Sequence, residues 1–148
     1  MRLRVLVPWV ALVVGACGET PDPPAAGGEP AAAVSPALAG TRWEVTFLQG
    51  GVDPAQAPRR PTLEFLDAGQ AAGHSGCNPM AGSWNSDGGG LTFGGMALTR
   101  MACPEPVTAV ETAFLDALDR TRASALVGDE LVLQGAGGVL LARLRPAS

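Results

Sequence analysis

The stretch GCNPMAGSW, Gly76–Trp84, contains one of only three cysteines in a chain of 148 residues. The next cysteine, Cys103, lies in TRMACP, Thr99–Pro104. The chain between them is rich in glycine, so it loses much conformational entropy on folding and has few apolar side chains to compensate. Two cysteines in such a segment form a disulfide, bind a metal or supply a reactive thiol. The choice decides whether the sequence predicts an enzyme.

Strands are predicted on the N-terminal side of this stretch. Within Thr41–Gln49, the apolar residues Trp43, Val45 and Phe47 alternate with polar ones. This period of two predicts a strand with one buried face, towards which these three side chains turn. Thr62–Leu66 repeats the pattern, and the segment between the two is a loop because proline and glycine dominate it.

Further strands are predicted on the C-terminal side. The short apolar piece Leu91–Phe93 follows an Asp-Gly step, which is a hairpin signal. Glu130–Leu144 reads as two strands around a glycine-rich turn, with Leu140, Ala142 and Leu144 facing one way. A closing hairpin is therefore expected at the end of the chain.

One helix interrupts the strands, at about residues 105–120. Prolines open it, and proline suits a first turn because the helix leaves that N–H unpaired. Val107, Val110, Phe114 and Leu118 follow at spacings of three and four, which places them on one face. The sequence predicts an α+β domain, an antiparallel sheet or partial barrel of about six to seven strands covered by this helix.

The N-terminus resembles the signal peptide of a bacterial lipoprotein. Arg2 and Arg4 precede an apolar run, Val5–Val14, that is too short to cross a bilayer, which takes about 20 residues. The run ends in VVGAC, where small residues precede Cys17 as in a lipobox. We therefore expect residues 1–16 to be removed and Cys17 to be lipidated, which anchors the protein to a membrane.

A proline-, alanine- and glycine-rich segment separates this anchor from the domain. Residues 17–39 contain almost no large apolar side chain, so they cannot bury enough surface to offset the loss of chain entropy. We expect a disordered tether there and a single domain over residues 40–148.

Charge and composition exclude several classes of function. The chain has a formal net charge of −4, and removal of the signal peptide makes it more negative. Nucleic acids call for clustered positive charge and are not expected partners. The chain contains no lysine, which excludes Schiff-base and P-loop chemistry, and Leu140 stands where a dinucleotide motif needs its third glycine. No cofactor is predicted.

The two domain cysteines leave three interpretations. His74, the only histidine, could join Cys77 and Cys103 in a Cys–His dyad or a zinc site. Structural zinc takes four ligands, however, and a strand sends residues 74 and 77 to opposite faces. In an oxidising exported compartment a pair of cysteines most simply forms a disulfide. We therefore expect a Cys77–Cys103 bond and no metal site.

Three segments together resemble a known family. Gly76–Trp84, Leu91–Pro106 and Val110–Leu118 are similar to the META domain of HslJ-like envelope proteins, whose motif runs roughly G-C-N-x-x-x-G-x-[YW], L-x-F, T-x-M-x-C. The similarity covers Gly40 to about Pro146. The residues that fit are Gly76, Cys77, Asn78, Gly82, Trp84, Thr99, Met101 and Cys103. The resemblance implies a small antiparallel sheet with one helix, a link to envelope stress, secretion or antibiotic tolerance, and no established catalytic residues.

Two residues near these motifs are candidates for binding. Asn78 is expected in a turn with Gly82, because asparagine bonds its own backbone and glycine accepts a positive φ. Arg100 could bind an anion or pair with a carboxylate such as Glu105.

The favoured hypothesis is a non-catalytic, lipid-anchored lipoprotein of the bacterial envelope, on the outer membrane if the cell has one. Its domain would be monomeric and would bind an envelope protein or a small ligand. The alternative is a thiol-dependent enzyme or a metal-binding protein that uses Cys77, His74 and Cys103.

Overall fold

The computed structural model describes residues 37–148, and the predicted signal peptide and Cys17 lie outside this range. Eight strands and one helix make up the fold. The strands are β1 (Thr41–Leu48), β2 (Thr62–Phe65), β3 (Gln70–His74), β4 (Pro79–Asn85), β5 (Thr92–Leu98), β6 (Ala123–Val127), β7 (Glu130–Gln134) and β8 (Leu140–Pro146). The helix α1 (Val107–Arg120) lies between β5 and β6 in the chain, and single 3-10 turns occur at Pro54–Gln56, Asp67–Gly69 and Ala136–Gly138.

The strands form one antiparallel sheet that curls into a half-barrel. Their order is β5-β4-β3-β2-β1-β8-β7-β6, so β5 and β6 are the two edges. These edges nevertheless meet at one point, where Gly90 forms a bridge with Ala123 and the Leu91 N–H donates to the Arg122 carbonyl at 2.9 Å. Opposite edges of a sheet can touch only if the sheet curls, so the predicted α+β partial barrel is confirmed.

Helix α1 lies in the opening of the half-barrel, where it contacts β5, β8, β1 and β7. The predicted apolar face is buried: Val110, Phe114 and Leu118 are each at most 1% exposed, and Val107 is buried too. Burying these side chains against the inner face of the sheet is the main source of stability for such a helix, because isolated helices of this length are marginal in water.

The first strand departs from strict alternation. Val45 is fully buried as predicted, but Phe47 is 39% exposed and its neighbour Leu48 is only 1% exposed. The cause is a β-bulge between Val45 and Phe47 in the pairing of β1 with β8, which adds one residue and reverses the facing of those that follow. The prediction that Phe47 turns into the core is therefore wrong, and Leu48 takes its place.

The structure has eight strands rather than six or seven, and β3, β4 and β6 are not among the five that the sequence patterns above define. β3 (QAAGH) and β6 (ASALV) consist mainly of small residues with weak strand preference. Both pair in antiparallel fashion with strands that the sequence predicts, β3 with β2 and β6 with β7. The backbone hydrogen bonds to these neighbouring strands keep β3 and β6 extended, although their own side chains have little strand preference.

The packed domain includes the end of the segment that the sequence assigns to the tether. Leu38 is 3% exposed within the core, and its carbonyl accepts hydrogen bonds from the N–H and side-chain hydroxyl of Thr41. Within residues 37–148, no helix is long and apolar enough to cross a bilayer.

The bulge in β1 predicts that Leu48 contributes more to the free energy of unfolding than its neighbour Phe47. Leu48→Ala should lower the free energy of unfolding by about 3 kcal/mol because it leaves a cavity in the core. Phe47→Ala should lower it by only about 1 kcal/mol because Phe47 is 39% exposed and its removal leaves no enclosed cavity. Urea denaturation of both variants, followed by tryptophan fluorescence, measures the difference. A larger loss for Phe47→Ala would mean that β1 alternates without the bulge.

Candidate functional site

A disulfide joins Cys77 to Cys103, with their Cα atoms 6.0 Å apart. It connects the turn before β4 to the segment that leads into α1. Closing a loop of 26 residues stabilises the fold by about 3.5 kcal/mol in the chain-entropy account. Because its sulfur is bonded to Cys103, Cys77 has no thiolate to offer as a nucleophile or a metal ligand in this state.

Asn78, the next residue, extends the β4–β5 ladder with its side chain. The last backbone bond of the ladder runs from the Thr99 N–H to the Pro79 carbonyl at 3.2 Å. One step further along, the Met101 N–H donates to Asn78 Oδ1 at 2.8 Å, and Asn78 Nδ2 donates to the Met101 carbonyl at 3.2 Å. The side-chain amide thus pairs with Met101 as the backbone of a neighbouring strand would.

The same amide also reaches α1 and the end of β5. Asn78 Oδ1 accepts a hydrogen bond from the Thr99 hydroxyl at 2.9 Å, and Nδ2 donates to Glu111 Oε2 at 3.0 Å. A primary amide has two donors and two acceptor positions, so these bonds and those to Met101 fill its capacity. Asn78 is 2% exposed. The structure therefore gives it a positioning role and leaves its amide no hydrogen bond to offer a ligand.

Glu111 completes the network from the helix side. Its Oε2 accepts from the Ser75 hydroxyl as well as from Asn78. Ser75 is fully buried, and its oxygen also accepts from the backbone N–H groups of Cys77 and Asn78 at 3.3 and 2.9 Å. Carboxylates accept several hydrogen bonds at low cost, so one helix residue fixes the turn at residues 75–78 against α1.

Ser75 and Glu111 are not among the site residues predicted from the sequence, although the position of Glu111 in the helix pattern could have identified it. It lies four residues after Val107 and one after Val110, on the stripe that the helix buries. A carboxylate on a buried stripe needs partners, because burying an unpaired charge is costly. Ser75 has no comparable signal, since serine is common in turns.

His74, the third residue of the alternative dyad or metal site, has a backbone partner in the structure. Its Nδ1 accepts the Gly76 N–H at 3.1 Å, and it ends β3. Burial, aided by the charge of Arg59, lowers its pKa below the ordinary 6.5, so the ring is neutral at pH 7. No group of three or more His, Cys, Asp or Glu side chains in residues 37–148 is arranged to hold a metal ion.

Two local expectations differ from the structure. Gly82 lies inside β4 rather than in a turn, at a position where a Cβ would collide with the Met96 backbone and side chain. Arg100 does not pair with Glu105, whose carboxylate instead accepts the Ala109 N–H at 3.2 Å in the first turn of α1. Within residues 37–148, Arg100 forms no ion pair and is exposed.

Arg100 borders an open cleft of about 580 Å³ beside this network. One wall is the continuous stretch Met96–Ala102, the other is Glu111 on α1, and Asn78 lies at the base. Ligand sites in proteins commonly enclose about 300–1,000 Å³ and combine apolar walls with a few polar groups. The cleft has this size and mixture, so we treat it as the candidate functional site.

The hydrogen bonds of Asn78 predict that its replacement destabilises the fold much more than replacement of Asn85. Asn78→Ala should lower the free energy of unfolding by about 3 kcal/mol, because it removes a buried amide together with its hydrogen bonds to Glu111, Thr99 and Met101. Asn85→Ala is the matched control, since Asn85 is exposed at the end of β4; it should change stability by less than about 0.5 kcal/mol. Urea denaturation measures both, and equal losses would contradict the role assigned to Asn78.

Comparison with solved structures finds the same fold. An NMR structure of a protein from Burkholderia xenovorans is 27% identical, covers 75% of this chain and 84% of its own, and has a TM-score of 0.62. A second NMR structure is 23% identical over 70% of this chain and 86% of its own, with a TM-score of 0.55. A crystal structure of a DUF4847 family protein from Bacteroides vulgatus has 16% identity, coverage of 74% and 94%, and a TM-score of 0.54. No curated protein matches the sequence.

The family itself is established by sequence. The model of the META domain matches residues 36–148, which is most of the chain and all of the domain described above. Of the motif residues that suggest this resemblance, Asn78, Thr99 and Met101 line the cleft, and the two bonded cysteines lie within two residues of them in the chain. The chain belongs to the META domain family.

Proposed function

We propose that the protein is a lipid-anchored lipoprotein of the bacterial envelope whose META domain holds a partner or small ligand in the cleft beside Asn78. The domain binds without catalysing a reaction, and the anchor on Cys17 keeps it at a membrane. A role in envelope stress, secretion or antibiotic tolerance is the context that the family implies.

The cleft is the observation that carries this proposal. Arg100 is an exposed cation without an ion-pair partner in the described chain, and it stands beside the apolar wall Met96–Leu98. Directly after that wall in the chain, the Asn78 amide holds the backbone of Met101 and the disulfide holds Cys103. A rigid surface that carries a cation without an ion-pair partner favours binding, because little conformational entropy is lost when a ligand docks.

The bonds already formed by Cys77, Glu111 and His74 support a non-catalytic role. Cys77 is bonded to Cys103, and the one Glu111 oxygen that meets the network already accepts two hydrogen bonds. His74 accepts a backbone N–H and lies at the end of another strand. A thiol-dependent enzyme would require the disulfide to be reduced and a base to reach Cys77, so we keep that function as the alternative.

The anchor rests on the VVGAC pattern before Cys17. The acyl chains of a lipoprotein bury many methylene groups, each worth about 0.8 kcal/mol, which makes membrane attachment nearly permanent. The acidic domain supplies no comparable attraction to anionic headgroups, so attachment depends on the lipid.

One experiment with two variants tests both halves of the proposal. Cys17→Ala should move the protein from the membrane fraction to the soluble fraction and abolish labelling with radioactive palmitate. Arg100→Gln should stay in the membrane fraction but lose the partners that chemical cross-linking captures in intact envelopes, because it removes the charge that the cleft offers.

Arg120→Gln is the control for the second variant, since Arg120 is an exposed arginine on α1 away from the cleft. It should retain both attachment and cross-links. Membrane retention of Cys17→Ala without palmitate in the wild type would overturn the anchor. Cross-links that survive Arg100→Gln unchanged would overturn the binding role of the cleft.

A further inference from the structure

The main wall of the cleft is a stretch of extended backbone at the edge of the sheet. Met96–Leu98 ends β5, which pairs only with β4, and Thr99–Ala102 continues beyond the strand. Helix α1 forms the opposite wall through Glu111. The cleft is therefore a groove between an edge strand and a helix, a geometry suited to binding an additional strand.

Alternate backbone groups along this wall point into the groove. The Thr99 N–H bonds to Pro79, and both backbone groups of Met101 bond to the Asn78 amide, all on the β4 side. In an extended chain, successive residues turn their N–H and C=O groups to opposite sides. The backbone groups of Leu98 and Arg100 therefore turn away from β4. In residues 37–148, no hydrogen bond outside the β4–β5 ladder reaches either of them.

The groove continues along β5 into a second hollow of about 210 Å³. Phe93, Met96 and Leu115 give this hollow an apolar lining, and Asp119 stands at its rim. Glu111, Leu115 and Asp119 are four residues apart in turn, so they form one stripe on α1 that faces the strand. Met96 borders both hollows, so they lie next to each other along β5, and we refer to the two together as the groove.

The charges at the two ends of the groove are opposite. Arg100 lies at the C-terminal end of the strand wall, and Asp119 lies near the N-terminal end. Neither side chain belongs to an ion pair within residues 37–148. Between them the lining combines apolar side chains with polar groups, among them Thr99 and Glu111. An occupant that matches this pattern has an acidic end, a middle of alternating apolar and uncharged polar side chains, and a basic end.

A second copy of the domain does not fit this edge well. Helix α1 packs against β5, so another folded sheet would have to fit beside this helix to reach the edge. In addition, β5 carries an extra residue opposite Gly82, where Gly95 has a φ of 57°. Such a bulge bends an edge strand and disfavours the pairing of whole sheets, whereas a single flexible peptide can follow the bend.

We propose that this groove binds an extended peptide, which adds to β5 as an antiparallel strand. Its backbone bonds to Leu98 and Arg100, its apolar side chain enters the hollow at Phe93 and Leu115, and its acidic and basic residues meet Arg100 and Asp119. This inference rests on the proposed binding function and assigns the class of its partner. The antiparallel direction follows the rest of the sheet and places the acidic residue at the N-terminal end of the peptide.

The test uses a synthetic peptide of about eight residues, enough to span Phe93–Arg100 residue for residue. It begins with Asp, ends with Arg, and alternates Val and Thr between them, with blocked termini. Amide hydrogen exchange is followed by NMR in the full chain carrying Cys17→Ala. Saturating peptide should slow exchange of the Leu98 and Arg100 amides by about tenfold or more, because each amide gains a hydrogen bond.

The controls separate strand addition from other binding. The same peptide with Pro at its two central positions should bind at least about tenfold more weakly, because proline cannot donate to a ladder. Arg100→Gln and Asp119→Asn should each weaken binding about threefold, as expected for exposed ion pairs. Equal binding of the proline peptide, or unchanged exchange at Leu98 and Arg100, would overturn the inference.

Other outcomes identify what the groove does instead. Protection of the Leu98 and Arg100 amides that rises with protein concentration, without peptide, would mean that a second copy occupies the edge, and would also overturn the inference. If the peptide fails while Arg100-dependent cross-links persist, the cleft binds a partner of another class. The binding proposal would then stand and the peptide assignment would fall.

Discussion

The arrangement of the site depends on the pairing of one side-chain amide, that of Asn78, with the backbone of Met101. The amide takes the place of a backbone residue just before β4 begins at Pro79, so the ladder with the segment after β5 is extended by one more pair, to Met101. The remaining capacity of the amide ties this extension to Glu111 on the helix. The Asn78 side chain therefore joins three segments: the turn before β4, the segment after β5, and helix α1.

The disulfide acts on the same segments by a different mechanism. It links Cys77 to Cys103 and so limits how far the two segments separate in the unfolded chain, whereas the hydrogen bonds of Asn78 define their distance in the folded one. Together they fix the extended backbone from Thr99 to Met101. Because this backbone is the wall of the cleft, Leu98 and Arg100 are presented in a fixed register to whatever binds there.

The sequence predicts the parts of this fold that periodicity controls. The buried face of α1 and the strand at Thr41–Leu48 follow directly from the spacing of apolar residues. The facing of Phe47 and Leu48 could not be predicted, because the bulge arises from the pairing of β1 with β8, nearly a hundred residues further along the chain. Local patterns carry no information about such distant register shifts.

The sequence predicts several residues of the site but not the hydrogen bonds that connect them. The G-C-N and T-x-M-x-C segments identify the family, yet the pairing of an asparagine amide with the backbone of Met101 depends on tertiary geometry. Glu111 could have been predicted as a site residue, because a carboxylate on the buried stripe of a helix requires hydrogen-bond donors. Its donors, Ser75 and Asn78, are more than thirty residues away in the chain.

Hydrogen exchange at a single amide tests this account most directly. Met101 is 58% exposed and belongs to no strand, so its surroundings alone predict rapid exchange. The Asn78 bond predicts the opposite, that the Met101 N–H exchanges at least about a hundredfold more slowly than the neighbouring Arg100 N–H in the protein without ligand. Equal, rapid exchange of the two amides would contradict the central role of Asn78.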